Sequence, residues 1–355
     1  MATNVVVMPA RYRDRADEEL GLVKVVRPEI ERVIFVRRPS PDTYVSADEL
    51  ERLKELGPEG VVVLDALKPR QIVNLARELR AEVIDRAMLI LEIFALHAGS
   101  REALLQVELA RIRHSLPLIK EAIRRAKLGE LHGFLGSGRY GYEKYYTYLR
   151  RKEAAIRREI ESIRRAMGLR RENRARAGLP QVSLVGYTNA GKTSIFNALT
   201  GLRKPVGPEP FTTITPKAYA VEVRGTRFAI VDTVGFIRDM PSEILDAFYA
   251  TLEEIKYSDA MVFVVDSSKP LSRVAEEIEE ALGVLRRLRA LSKPTVLALN
   301  KVDLMRQEKI EELSKAIRAT LNDEIQLVAE VPVSAKKGYN LEVLAEILAD
   351  VVSKA

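Results

Sequence analysis

Residues 1–80 alternate short apolar runs with stretches of helical spacing. Val5–Met8, Val33–Val36 and Val61–Leu64 read as strands. Asp48–Leu56 and Pro69–Arg80 read as helices, with Asp48 and Pro69 in first turns, where each residue type is favoured. Strands alternating with helices predict a small parallel sheet. Two long helical stretches follow. Arg101–Lys127 carries Leu104, Leu105, Leu109, Ile112, Leu116, Ile119 and Ile123, with Pro117 placed to kink it. Tyr142–Arg176 carries Leu149, Ile156, Ile160, Ile163 and Met167. The two stripes predict an antiparallel helical pair. Between them Leu128–Gly141 holds Gly129, Gly133, Gly136, Gly138 and Gly141, a glycine density that marks the loop at the hairpin tip. Beyond Gly178 and Pro180 the α/β pattern resumes. Its strands are Gln181–Val185, Ala218–Val223, Phe228–Val231, Ala260–Val265, Thr295–Leu299 and Ile325–Val333, and its last helix is Leu341–Val352. The expected organisation is an N-terminal domain over 1–179, divided into a small α/β part (1–98) and a helical hairpin (99–179), then a second α/β domain over 180–355.

Charge sharpens this division. The chain of 355 residues has a net charge of +7, yet residues 101–176 hold 20 Lys and Arg against 9 Asp and Glu. That segment carries +11 and the rest of the chain −4, so one basic hairpin sits in an otherwise acidic protein. Tyr140, Tyr142, Tyr145, Tyr146 and Tyr148 lie there among Arg139, Lys144, Arg150, Arg151 and Lys152. Aromatic side chains interleaved with cations can stack on unpaired bases and pair with phosphates. The same pattern also suits tyrosines packed on a neighbouring helix above a solvated charged face, and the net charge favours RNA. The chain contains no Cys, which excludes disulfides, thiolate metal sites and a Cys nucleophile. Its three histidines, His97, His114 and His132, are far apart and none is assigned a catalytic role. The N-terminus lacks the features of a secretory signal, and no stretch reaches the ~18 apolar residues of a membrane span. A soluble, cytoplasmic protein is expected.

Four motifs carry chemistry. Gly186, Tyr187, Thr188, Asn189, Ala190, Gly191, Lys192, Thr193 and Ser194 lie between a strand and a helix in the pattern of a phosphate-binding loop. Backbone N–H groups and the helix N-terminus would wrap phosphates, Lys192 would reach the β- and γ-phosphates, and the Thr193 hydroxyl would ligate Mg²⁺. Asp232-Thr-Val-Gly235 follows a strand 40 residues after Lys192. Its Asp can hold Mg²⁺ through water, and the Gly235 amide can sense a γ-phosphate. Asn300-Lys301-Val302-Asp303 also follows a strand. Asp303 can accept from guanine N1 and N2, and Lys301 can cover the base plane. Ser334, Ala335 and Lys336 follow the last strand, where their amides can reach guanine O6. Ligands of such sheets bind at the carboxyl ends of the strands, where all four motifs fall.

These residues resemble the guanine-nucleotide motifs of Ras-like, translation-factor-class GTPases. The runs G-Y-T-N-A-G-K-T, D-T-V-G-F-I-R-D-M-P and A-F-Y-A-T-L-E-E are similar to those of the HflX family. So are Asp85-Arg86, Leu89–Ala95 and Leu105–Ala110 in the N-terminal half. The resemblance covers nearly the whole chain. One departure is Gly136–Glu143, which reads G-S-G-R-Y-G-Y-E where the family commonly has G-P-G-E-T-Q-L-E. The resemblance implies an α/β fold in which a Ras-like P-loop GTPase domain follows a small α/β domain with a long helical hairpin. It implies GTP/GDP and Mg²⁺ as ligands, association with the large ribosomal subunit and its rRNA, and action in ribosome splitting, rescue or recycling. A monomer is expected when the protein is off the ribosome. Phe211, Thr212 and Thr213 occupy the interval where a loop should close on Mg²⁺ and γ-phosphate, and the resemblance favours Thr213 over Thr212 as the switch threonine. Lys192, Thr213 and Gly235 are the expected catalytic groups, and Thr193, Thr213 and Asp232 the Mg²⁺ ligands. Asn189 stands where some related GTPases place a K⁺-ligating Asn, although a hydrogen bond that shapes the loop is the plainer role. Two rival functions remain at this point: an NTP-dependent RNA remodeller that also uses ATP, and an anti-association factor that acts through nucleotide occupancy with vestigial hydrolysis.

Overall fold

The computed structural model describes residues 4–97, 101–128, 139–176, 179–202, 217–238, 242–321 and 324–354. The chain forms two compact units, one holding most of residues 1–165 and the other most of residues 166–355.

The first unit opens with a four-stranded, wholly parallel sheet of β1 (Asn4–Pro9), β2 (Ile30–Val36), β3 (Gly60–Val63) and β4 (Glu82–Asp85), in the order β2-β1-β3-β4. Every residue of β1 and β3 is buried, as expected of central parallel strands covered on both faces. Helices α1 (Ala16–Val26), α2 (Ala47–Leu56) and α3 (Pro69–Leu79) connect them. Ser46 and Glu49 cap α2 reciprocally, Gly57 closes it in the left-handed region, and Pro69 opens α3. Two elements escape the sequence reading. Helix α1 contains Gly21 and three valines, all poor helix formers. Strand β4 is short, with acidic residues at both ends.

An apolar helix α4 (Arg86–His97) leads to α5 (Arg101–Lys127) and α6 (Arg139–Arg176), the predicted pair. Leu105, Leu109, Ile112, Leu116 and Ile119 of α5 meet Leu149, Ile156 and Ile160 of α6 in one buried cluster. Helix α5 continues through Pro117. Helix α6 begins three residues before the predicted Tyr142, and the glycine-rich residues 129–138 lie outside the described residues. The family-like Asp85-Arg86 pair serves packing. Asp85 accepts the Met88 amide at 2.9 Å, starting α4, and lies 3.1 Å from His114 Nε2. Arg86 forms a buried ion pair with Glu19.

The second unit is a six-stranded sheet in the order β10-β9-β8-β5-β7-β6. Its strands are β5 (Gln181–Gly186), β6 (Lys217–Val223), β7 (Thr226–Asp232), β8 (Ala260–Asp266), β9 (Thr295–Asn300) and β10 (Leu327–Pro332). All neighbours are parallel except β6, which pairs antiparallel with β7. Helices α7 (Lys192–Thr200), α8 (Ser242–Tyr257), α9 (Leu271–Arg287), α10 (Gln307–Leu321) and α11 (Leu341–Ser353) accompany it. Its core joins Val182, Leu184, Val262, Val264, Val296 and Ala298 of the sheet to Phe196 of α7 and Leu344 and Leu348 of α11. Strand order reverses at β5, so a crevice at the carboxyl ends falls beside it. No helix among the described residues is long and apolar enough to cross a membrane.

Candidate functional site

The loop between β5 and α7 is held from several sides. Gly191 has φ 96°, and a Cβ there would lie 2.1 Å from Asn300 Nδ2. That amide donates to Ala190 O at 2.8 Å, while Asn300 Oδ1 accepts the Ala335 N–H at 3.1 Å. One buried side chain at the end of β9 therefore ties the Gly186–Ser194 loop to the Ser334–Lys336 loop. Asn189 adopts the left-handed conformation that its residue type tolerates. Lys192 opens α7 and is only 6% exposed. Its ammonium donates to Gly186 O at 3.0 Å and Tyr187 O at 2.6 Å, which leaves the third proton for an anion. Burial pulls this ammonium down to about 8, and the Asp232 carboxylate opposes the shift. Thr193 and Asp232, at the ends of α7 and β7, are both buried.

The segment after Asp232 lies on the loop. A Cβ at Gly235 would come 2.8 Å from both Lys192 Nζ and Thr188 N, so only glycine fits this approach. The Phe236 N–H donates to Gly186 O at 3.0 Å, and the Thr188 N–H donates to Phe236 O at 3.0 Å. The Phe236 ring is buried edge-on against Tyr187, with centroids 6.4 Å apart. The Tyr187 hydroxyl bonds Glu280 of α9, and burial together with that carboxylate raises its pKa. Arg238 pairs with Glu276 of the same helix.

At the other end, Lys301 has a left-handed backbone and its ammonium lies 2.7 Å from Asp266 Oδ2. Asp266 ends β8, and its other oxygen accepts the Ser268 hydroxyl at 2.6 Å and the Ser268 amide at 3.0 Å. The Ser334 hydroxyl donates to Asp303 Oδ1 at 2.6 Å. Lys336 is exposed beside it.

The structure thus brings together, at the carboxyl ends of β5, β7, β9 and β10, every sequence-assigned residue of the four motifs. Phe211, Thr212 and Thr213 lie outside the described residues. Sequence reasoning missed Asp266, Tyr187 as a hydrogen-bonding group, and the α9 carboxylates. Their partners are remote in sequence, so no local motif marks them. Among the described residues no cluster of three or more His, Asp or Glu could hold a metal ion. An ion here would depend on hydroxyl, phosphate and water oxygens beside Asp232.

Three family models match the chain: an N-terminal GTP-binding GTPase model over residues 13–95, its middle-region counterpart over 97–174, and a model described as 50S ribosome-binding GTPase over 181–301. The chain is 46% identical to GTPase HflX of Hyperthermus butylicus over 348 residues, which span 94% of this chain and 92% of that protein. It is 38% identical to GTPase HflX of Saccharolobus solfataricus over 339 residues, 93% of this chain and 94% of the other. A crystal structure of a GTP-binding protein from Sulfolobus solfataricus in complex with GDP superposes over 100% of this chain and 99% of its own, at a TM-score of 0.58 and 32% identity.

Proposed function

The chain belongs to the HflX family of GTPases, and we propose from that premise that its GTP-bound state docks on the large ribosomal subunit and its rRNA and that hydrolysis ends the association. It binds guanine nucleotides and hydrolyses GTP to GDP and phosphate. The observation that carries the nucleotide half is the Asn300 brace, which joins the phosphate loop to the base-side loop. The subunit half rests on the 50S ribosome-binding description matched by residues 181–301, with the +11 charge of the hairpin in support. In our reading the docked protein acts in ribosome splitting, rescue or recycling, as a cytoplasmic monomer when off the ribosome.

The oxygen donors Thr193 and Asp232 fit Mg²⁺, a hard cation that keeps waters and bridges to substrate phosphates. Together with Thr213 they would hold the ion, which supplies charge neutralisation at the β- and γ-phosphates. Lys192 places its third proton against the same oxygens, and the amides of Asn189 and of Gly191 to Ser194 would face the phosphates, while the Ala190 N–H donates to Tyr187 O within the loop. Water attacks the γ-phosphorus, a new P–O bond forms, and the bond to the β–γ bridging oxygen breaks. Gly235 brings its backbone to the γ-phosphate side, where only a residue without Cβ can approach. Asp303 reads guanine N1 and N2, and Asp266 positions Lys301 over the base. Asn189 would offer an amide oxygen to K⁺.

Sedimentation with purified large subunits tests this reading. A non-hydrolysable GTP analogue should bring the protein down with subunits, and GDP should leave most of it in the supernatant. Equal sedimentation with both nucleotides would remove nucleotide control, and none with either would remove the partner.

A further inference from the structure

The structure divides the tyrosines of the hairpin into two kinds. Tyr142 is 6% exposed and belongs to the seam between α5 and α6. Tyr146 packs on the same seam, with Lys120 Nζ 5.7 Å from its ring centre. Tyr145 and Tyr148 instead point outward, 51% and 54% exposed, with rings stacked at 6.3 Å and 19°. Lys152 Nζ lies over the Tyr148 ring at 5.9 Å. Beside Tyr145 opens a cavity of about 430 Å³ between α4, α5 and α6, within the ~300–1,000 Å³ range of small-ligand sites. Leu104, Val107, Ile112 and Leu149 give it an apolar floor, and Arg101, Arg111, Lys152 and Glu108 stand around it.

We infer that this cavity binds one unpaired nucleotide of single-stranded RNA, with Tyr145 as the stacking platform and Glu108 reading the base edge; the inference deepens the RNA association proposed above. A nucleobase needs a flat apolar surface for its face, which an exposed tyrosine provides. Its phosphates need cations that can turn toward them. Arg101 is 66% exposed and pairs with Glu159 at 2.8 Å, and Arg111 lies 3.7 Å from Glu92. An exposed pair such as Arg101–Glu159 contributes little and exchanges partners readily, and Arg111, 41% exposed, is held only at this longer distance from Glu92, which also pairs with Arg27. Lys152 pairs with Glu108 and holds that carboxylate at the rim. A carboxylate only accepts hydrogen bonds. It therefore favours the amino edges of adenine, cytosine and guanine over uracil, whose lone imino donor is flanked by two repelling carbonyls.

Fluorescence anisotropy of the full chain with labelled octaadenylate and octauridylate tests the site. The parent protein should bind octaadenylate more tightly than octauridylate. Tyr145→Ala should weaken octaadenylate binding roughly 5- to 100-fold, Tyr145→Phe should retain it, and Glu108→Gln should narrow the preference. Basal GTP hydrolysis should be unchanged in all three variants, and their far-UV circular dichroism and thermal unfolding should match the parent, which reports that the hairpin folds. Unaltered octaadenylate binding by Tyr145→Ala, or no octamer binding by the parent, would overturn the site. Displacement of the octamer by AMP at equal nucleotide concentration would reassign the cavity to mononucleotides. Sedimentation separates this inference from its premise. If the parent binds large subunits while Tyr145→Ala still binds octaadenylate, the pocket alone fails. If octamer binding depends on Tyr145 but the parent does not sediment with subunits, the ribosomal reading alone fails.

Discussion

Lys192 is a cation buried among carbonyls before any phosphate arrives, and burial brings its ammonium down to about 8. Phosphate charge restores the proton, so nucleotide binding should be accompanied by proton uptake where the unliganded lysine is partly neutral. The uptake should be larger at pH 8 than at pH 7, and affinity should fall as pH rises above 8. Titration calorimetry in buffers of differing ionisation heat measures it; equal uptake at both pH values would contradict the burial argument. At the base end, Asp303 accepts the Ser334 hydroxyl through one oxygen. Asp303→Asn replaces an acceptor with a donor and should move the preference from guanine toward xanthine nucleotides, by roughly 10²-fold or more in relative affinity. Competition binding with GDP and XDP would show it, and an unchanged preference would displace Asp303 from the base site. The motif residues were legible because each motif is contiguous. Asp266 was not, since its partner Lys301 is 35 residues away, nor was the Tyr187–Glu280 bond, which spans 93. An ordinary acidic residue at a strand end gains its meaning only when the sheet aligns β8 with β9.

The elements that position the site follow from patterning with few surprises. Central strands read as continuous apolar runs, and the α5–α6 stripe reads as a seam. The elements that were missed, α1 and β4, are those whose local preference is overridden by packing. Glu19 of α1 meets Arg86 at the junction of β4 and α4, and both side chains are at most 5% exposed. A buried pair broken on one side leaves a charge without its counter-ion, a loss of about 3–5 kcal/mol. Glu19→Ala should lower the stability of the N-terminal unit by that order in urea unfolding. Lys54→Ala, at surface pairs with Glu51 and Glu78, should cost far less. Comparable losses from the two variants would mean that the Glu19–Arg86 pair does not hold α1 to the sheet. His114, assigned no catalytic role from sequence, belongs to this junction through Asp85.

At the scale of the molecule, charge and catalysis point to the same partner. The RNA contact proposed above places phosphates on the basic hairpin in the middle of the sequence, and neutralising several of them releases counterions, so binding should weaken steeply with salt. In many GTPases a Gln that orients the attacking water follows the Asp-x-x-Gly motif. Phe236 stands there in this chain, its ring buried against Tyr187 and its backbone pinned to Gly186 and Thr188. A phenyl ring cannot hold a water in line, so the missing group must come from elsewhere, and the docked ribosomal subunit is the source this account assigns. The most direct measurement is single-turnover GTP hydrolysis by the protein alone and with purified large subunits. Slow hydrolysis alone, accelerated by roughly 10³- to 10⁵-fold on the subunit as for other GTPases completed in trans, is the predicted result. Fast hydrolysis that subunits leave unchanged would mean that the catalytic machinery is complete within this chain, and the account would be wrong at its centre.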